Sequence, residues 1–122
     1  MAKAPDFGRM PLDESHHAVI AMTSEGEVLY WSRGAEILFG YSSGEATGRA
    51  IEQLVIPSHR IDAEREMLRD ALAAGFATYE SSRRTKDGQP IYVDVTKWAV
   101  RDTDGTLKFV VSIERDAAVR RA

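Results

Sequence analysis

Few residues of this chain have the type and spacing that chemistry needs, and most of those have a plainer explanation. His16 and His17 stand near Asp13 and Glu14, all four of metal-ligand type. Adjacent histidines point to opposite sides of an extended chain, so a solvated cluster accounts for them better than a metal site. His59 precedes Arg60 at an expected helix start, a place for a surface or capping residue. Arg83, Arg84 and Lys86 form a small basic patch beside a turn, which a solvated hairpin explains without nucleic acid. Ser42-Ser43-Gly44 lacks the strand-to-helix setting of a nucleophile elbow. Carboxylates are numerous, but no two stand at a spacing that argues for a general acid and base. Cysteine is absent, which removes disulfides, thiol nucleophiles, thiolate metal sites and thiol adducts with a flavin. Neither catalysis nor a metal site is expected.

Lys97 is the exception. Ile91, Val93 and Val95 alternate, which carries the inner face of a strand on to Lys97 and leaves Trp98 outside. A bulge near Thr96 would exchange the two and turn Trp98 inward. Burying an unpaired ammonium is costly, and that cost favours the bulge. If Lys97 faces inward after all, the expected partner is an anionic ligand, a carboxylate first.

The elements that must position these residues follow from periodicity and turn chemistry. Ala18–Thr23 and Val28–Ser32 are expected strands joined through Ser24-Glu25-Gly26. Ser32 can cap a short helix in which Ala35, Leu38 and Phe39 share one face, and Gly40 stops it. Ser42 and Glu45 have capping-box spacing for another helical turn ending at Gly48. Ile51–Ile56 is a short apolar segment. Ser58 is expected to cap a longer helix carrying Ile61, Met67, Leu68, Ala71 and Leu72, closed by Gly75. Strands Ala77–Thr85, Ile91–Arg101 and Thr106–Glu114 follow, separated by two Asp-Gly turns. In the last strand Leu107, Phe109, Val111 and Ile113 alternate with Lys108, Val110, Ser112 and Glu114, so the first set reads as the core face. The expected class is α+β: a five-stranded antiparallel sheet with short helices and one longer helix packed on one face.

At 122 residues the chain can close one core. A net charge of −3 makes no electrostatic case for direct nucleic-acid or membrane binding. No apolar run approaches the roughly 20 residues of a bilayer span, and no signal-like segment follows Met1, so a cytoplasmic location is expected.

Eight short motifs in order make the chain resemble a bacterial PAS sensory domain over about residues 14–118. They are His17-Ala18-Val19-Ile20, Glu25-Gly26, Tyr30-Trp31-Ser32-Arg33-Gly34-Ala35-Glu36 with Phe39-Gly40-Tyr41, Glu45-Ala46-Thr47-Gly48-Arg49, Pro57-Ser58-His59-Arg60, Lys86-Asp87-Gly88, Asp102-Thr103-Asp104-Gly105 and Arg115-Asp116-Ala117-Ala118. Ser32 stands where the family has asparagine, Gly34 where it has alanine, which should loosen that helix, and Ala118 nearest the usual terminal threonine. Residues 1–13 then form a lead-in, and 119–122 begin a linker helix.

The resemblance implies a homodimeric signalling module that relays a small-molecule signal to an effector in the same or a partner chain, such as a histidine kinase, transcription regulator or cyclase. The photoadduct subfamily needs a cysteine, and haem sensors need a histidine where Asp62 and Ala63 stand, so flavin and haem are disfavoured. An unidentified organic ligand would meet Met22, Leu29, Trp31, Leu38, Phe39, Leu54, Leu72, Tyr79, Val93, Val95, Phe109 and Val111, with Lys97 or Trp98. Mutual packing of the apolar members is the simpler alternative. Arg115 and Asp116 would carry the signal onward. The alternative function is a ligand-free dimerisation relay, with Phe7, Met10, Leu12 and Val110 as partner surface.

Overall fold

The computed structural model describes residues 17–117. Strands β1 (Ala18–Met22) and β2 (Val28–Trp31) are followed by helices α1 (Arg33–Phe39), α2 (Ser43–Ala46) and α3 (Ile51–Leu54). A 3-10 turn, Ser58–Arg60, leads into α4 (Ile61–Ala74), and β3 (Phe76–Arg84), β4 (Pro90–Arg101) and β5 (Leu107–Asp116) complete the chain. All pairings are antiparallel, in the order β2-β1-β5-β4-β3, so the first hairpin docks beside the last strand. The helices pack against one face of this sheet, as α+β patterning requires. The lead-in with Phe7, Met10 and Leu12, His16, Ala118 and the linker at 119–122 lie outside the described residues.

The helix ends obey local chemistry. Ser32 Oγ accepts from the backbone N–H of Ala35 at 3.1 Å and also from that of Val19 at 2.9 Å, tying α1 to β1. Gly40 at φ 90° closes α1. Ser42 and Glu45 complete the capping box. Ser58 supplies no side-chain cap: Arg60 stands at the N-cap of α4 without a side-chain bond, and the 3-10 turn takes the Ile61 N–H to the Ser58 carbonyl. Gly34 does not simply loosen its helix. A Cβ there would lie 2.0 Å from the carbonyl oxygen of His17, so glycine is what lets α1 lie against the start of β1. Gly34→Ala is expected to cost about 1–3 kcal/mol by overpacking, with chemical denaturation as the measurement; an unchanged midpoint would show that the contact relaxes freely.

The direction of the side chains departs from expectation in β4 and β5. The β4–β5 register runs without a break from Val93 to Val100, and its one shift lies between Val100 and Arg101. No bulge forms near Thr96, so Lys97 faces the helices at 5% exposure and Trp98 faces out at 42%. Across the sheet Lys97 pairs with Ser112, and Val95 with Glu114. Directly paired residues share a face. Hence Val110, Ser112 and Glu114 point inward, while Phe109, Val111 and Ile113 point to the opposite face. The reading of β5 was inverted, and Phe109, Val111 and Trp98 are removed from the inner face. Leu29 goes too: it is the extra residue where the β1–β2 register shifts, and it is 43% exposed. Val110, offered as partner surface, is fully buried.

Candidate functional site

The inward polar residues form a closed ring of hydrogen bonds beneath α4. Arg83, on β3, is 1% exposed and reaches two carboxylates at once. Its Nη1 donates to Glu64 Oε2 at 2.8 Å and its Nη2 to Glu64 Oε1 at 3.1 Å, a two-point contact with α4. Its Nε donates to Glu114 Oε1 on β5 at 3.0 Å. Lys97, on β4, closes the ring through hydroxyls. Its Nζ donates to Tyr79 Oη at 2.9 Å, and Tyr79 donates to Glu64 Oε1 at 2.7 Å. On the other side Nζ donates to Ser112 Oγ at 3.3 Å, and Ser112 donates to Glu114 Oε2 at 2.9 Å. Ser81 adds a bond to Glu64, and Arg60 reaches Ser81 from the 3-10 turn.

The ring explains why the bulge is unnecessary. A lone buried ammonium is costly, but this one has two hydroxyl acceptors, each polarised by a carboxylate, and the Tyr79 ring 5.4 Å away. Counted by ordinary charges, two cations and two carboxylates balance. Burial pushes the Glu64 carboxyl up, yet the charge and hydrogen bonds of Arg83, with Lys97 and Ser81, outweigh it and hold the group at about 2. Burial pulls the Lys97 ammonium below its ordinary range, against the opposing pull of Glu114 and Glu64. Burial, with the Glu64 charge beside it, raises the Tyr79 hydroxyl, which therefore stays protonated as a donor.

A cavity of about 330 Å³ opens over one side of the ring. Ser24, Glu25 and Gly26 of the first hairpin, α3 and α4 wall it, with Met22, Ile51, Ile56, Leu68 and Leu72 as its apolar surface. Lys97, Arg83 and Glu64 form its polar floor, and Arg65 and Arg69 stand on its α4 side with Glu52 across from them. Arg65 is held by Glu52 through bonds of 2.7 and 2.9 Å.

Of the residues expected to line a ligand site, the structure brings Met22, Leu72 and Lys97 to this cavity. Trp31, Phe39 and Leu54 are buried in the main core: Trp31 packs on Phe39 with ring centroids 5.6 Å apart, and its indole N–H donates to the Tyr41 carbonyl. Leu38 packs against that core from α1. Val93 and Val95 are buried on the inner face of β4, and Tyr79 supports Lys97 from outside the cavity wall. Arg83 is the largest error of the sequence reading, which placed it in a solvated basic patch. Glu64, Ser81, Ser112 and Glu114 were not singled out at all. A signal existed: the Asp-Gly hairpin that pairs Arg84 with Pro90 also sets Ser81 and Arg83 on the same face as Val93 and Ile91. Among the described residues no group of His, Asp and Glu is arranged to hold a metal ion.

Comparison with known proteins agrees with this architecture. The chain resembles the PAS domain of a Colwellia psychrerythraea protein, with a TM-score of 0.78 at 23% identity, over 86% of this chain and 89% of that one. It also resembles the PAS domain of an HTR-like protein from Haloarcula marismortui, with a TM-score of 0.70 at 20% identity, over 86% and 84%. At these identities the likeness is one of fold. A curated relative, an uncharacterized protein of Azorhizobium caulinodans, is 34% identical over 67 residues, 55% of this chain. The chain spans only 9% of that relative's length. A PAS domain family model matches residues 16–117, the whole sheet and all its helices. The chain therefore belongs to the PAS domain family, a family of sensory and signalling modules.

Proposed function

We propose that this domain senses a small organic molecule in the cavity between α3, α4 and the sheet, and relays its presence to an effector such as a histidine kinase, a transcription regulator or a cyclase. The observation that carries this reading is the cavity itself, lined by apolar side chains and floored by the buried ends of Lys97 and Arg83. Lys97 offers a means of relay. Its Nζ bonds Ser112 on β5, and β5 runs on through Glu114 to Arg115 and Asp116. A ligand that draws on Lys97 changes the ring's hold on the end of that strand. Arg115 sits 3.8 Å from Asp94 on the outward face, where an effector or linker can feel the change. The role is non-catalytic, cytoplasmic and independent of haem or flavin. Among the described residues no helix is long and apolar enough to cross a membrane.

A second reading, homodimerisation without a ligand, is favoured by a different observation. Phe76 and Trp98 pair across β3 and β4 on the outward face and are 57% and 42% exposed, with Tyr92 further along the same face. Native mass spectrometry of the purified chain tests both. A retained small molecule, released on denaturation and lost in a Leu72→Trp variant that fills the cavity, is the expected result. A dimer with no releasable molecule at any loading would leave the relay reading alone, and visible absorption by the purified protein would overturn the exclusion of haem and flavin.

A further inference from the structure

The buried end of Lys97 is a candidate for covalent chemistry. We propose that its Nζ captures an aldehyde in the cavity, forming a protonated imine with the carbonyl carbon. This rests on the ligand-binding reading above and names both the class of ligand and the bond that holds it.

Lys97 differs from the other described lysines in how its charge is held. Lys86 meets Glu45 directly at 2.6 Å, and Lys108 lies 3.6 Å from Asp102, both of them partly exposed. Lys97 is buried and reaches Glu64 and Glu114 only through the hydroxyls of Tyr79 and Ser112. Arg83 bonds both carboxylates directly and is itself a second cation near Lys97. A lysine that is desolvated and set near another cation gives up its proton more readily than a surface lysine, and the free amine is the nucleophile. Burial first, and the Arg83 charge after it, pull the Lys97 ammonium below its ordinary range against Glu114 and Glu64, whereas the bond to Glu45 raises Lys86.

The surroundings fit the reaction. Tyr79 and Ser112 take two of the three N–H groups at 2.9 and 3.3 Å, which leaves the third position of the nitrogen for a ligand, and Lys97 lines the cavity. The nitrogen lone pair forms the bond to the carbonyl carbon, and the carbon–oxygen bond then breaks. Two of the three ammonium protons leave with that oxygen as water, the third stays on the nitrogen, and no electrons pass to another molecule. Tyr79 and Ser112 each accept from Nζ and donate to a carboxylate, so each can carry one such proton. The site has the same charge before and after, and Glu64 and Glu114 face a cation throughout. A volume of about 330 Å³ admits one ring, and Met22, Ile51, Ile56, Leu68 and Leu72 cover it and limit the water that would hydrolyse the imine. The imine nitrogen keeps a single N–H, so it can no longer serve both hydroxyls. Loss of the Ser112 bond would release the side-chain tie between β4 and β5.

Benzaldehyde with cyanoborohydride at neutral pH tests this, because hydride turns an imine into a stable benzylamine that peptide mass mapping locates. Lys97 is expected to acquire one benzyl group about tenfold faster than Lys86 or Lys108. Ethylbenzene, which can fill the cavity without reacting, should slow the labelling of Lys97 alone. Labelling of Lys97 no faster than that of the other two lysines overturns the proposal, as does labelling that ethylbenzene leaves unchanged. The thermal unfolding midpoint with ethylbenzene alone reads the cavity separately. A raised midpoint without selective labelling overturns the imine and leaves the cavity reading standing. An unchanged midpoint without selective labelling overturns both.

Discussion

Arg83→Met is expected to lower the unfolding free energy by about 3–5 kcal/mol, a large part of the 5–15 kcal/mol that holds an ordinary domain folded. The methionine fits the volume. What it leaves behind are Glu64 and Glu114, 7% and 1% exposed, without the guanidinium that bonds both. Their desolvation cost then stands uncompensated. The side chain itself is not what the fold needs most, and a second variant separates the two ideas. Adding Glu114→Gln to Arg83→Met removes the stranded charge and leaves Lys97 and Glu64 to balance each other through Tyr79, and much of the lost stability should return. Urea denaturation of the three proteins decides the matter. A single mutant within about 1 kcal/mol of the parent would mean that the ring is solvated in solution and contributes as little as a surface ion pair.

Acid is expected to undo the same ring from the other side. The Glu64 carboxyl titrates at about 2 in the folded domain against an ordinary value of 4.5. A group with a depressed folded pKa contributes stability that is present above the unfolded value and lost as pH falls through the folded one. The window is therefore pH 4.5 down to about 2. The full contribution is about 3 kcal/mol at neutral pH, taking roughly 1.4 kcal/mol per unit. Lys97 acts in the same direction on the alkaline side. Its folded pKa lies below the ordinary 10.5, so stability rises with pH between the two as the buried ammonium gives up its proton. Unfolding free energies across this range for the parent and Glu64→Gln isolate the acid arm. The variant is expected to lose the slope between pH 4.5 and 2, and parallel curves would remove Glu64 as its source.

The ring also ties the proposed chemistry to the fold. It spans α4 and the three strands β3, β4 and β5, so one set of bonds fixes the long helix to the sheet and floors the cavity. A domain that only needed stability could fill this volume with apolar side chains. Placing charge there puts Lys97 on the cavity floor and bonds it, through Ser112, to β5.

What the sequence determined by itself is local. Ser32 before Ala35, Ser42 with Glu45, the glycines at 40 and 75 and the two Asp-Gly turns mark element ends through bonds within a few residues, and the elements stand where those signals put them. Turns and patterning point to a five-stranded antiparallel sheet, while the order β2-β1-β5-β4-β3 comes from tertiary pairing. What only the tertiary structure decided is which face each strand presents. In β5 both alternating sets contain apolar residues, and hydrophobicity alone favours Phe109, Val111 and Ile113 for the inside. Pairing with β4 puts Ser112 and Glu114 there instead, because Arg83 from β3 arrives to neutralise and bond Glu114, which would otherwise be prohibitive to bury, and Lys97 from β4 bonds Ser112. The cost of a buried charge depends on partners far away in sequence, 31 residues for Arg83 and Glu114, and no pattern within a single strand contains them.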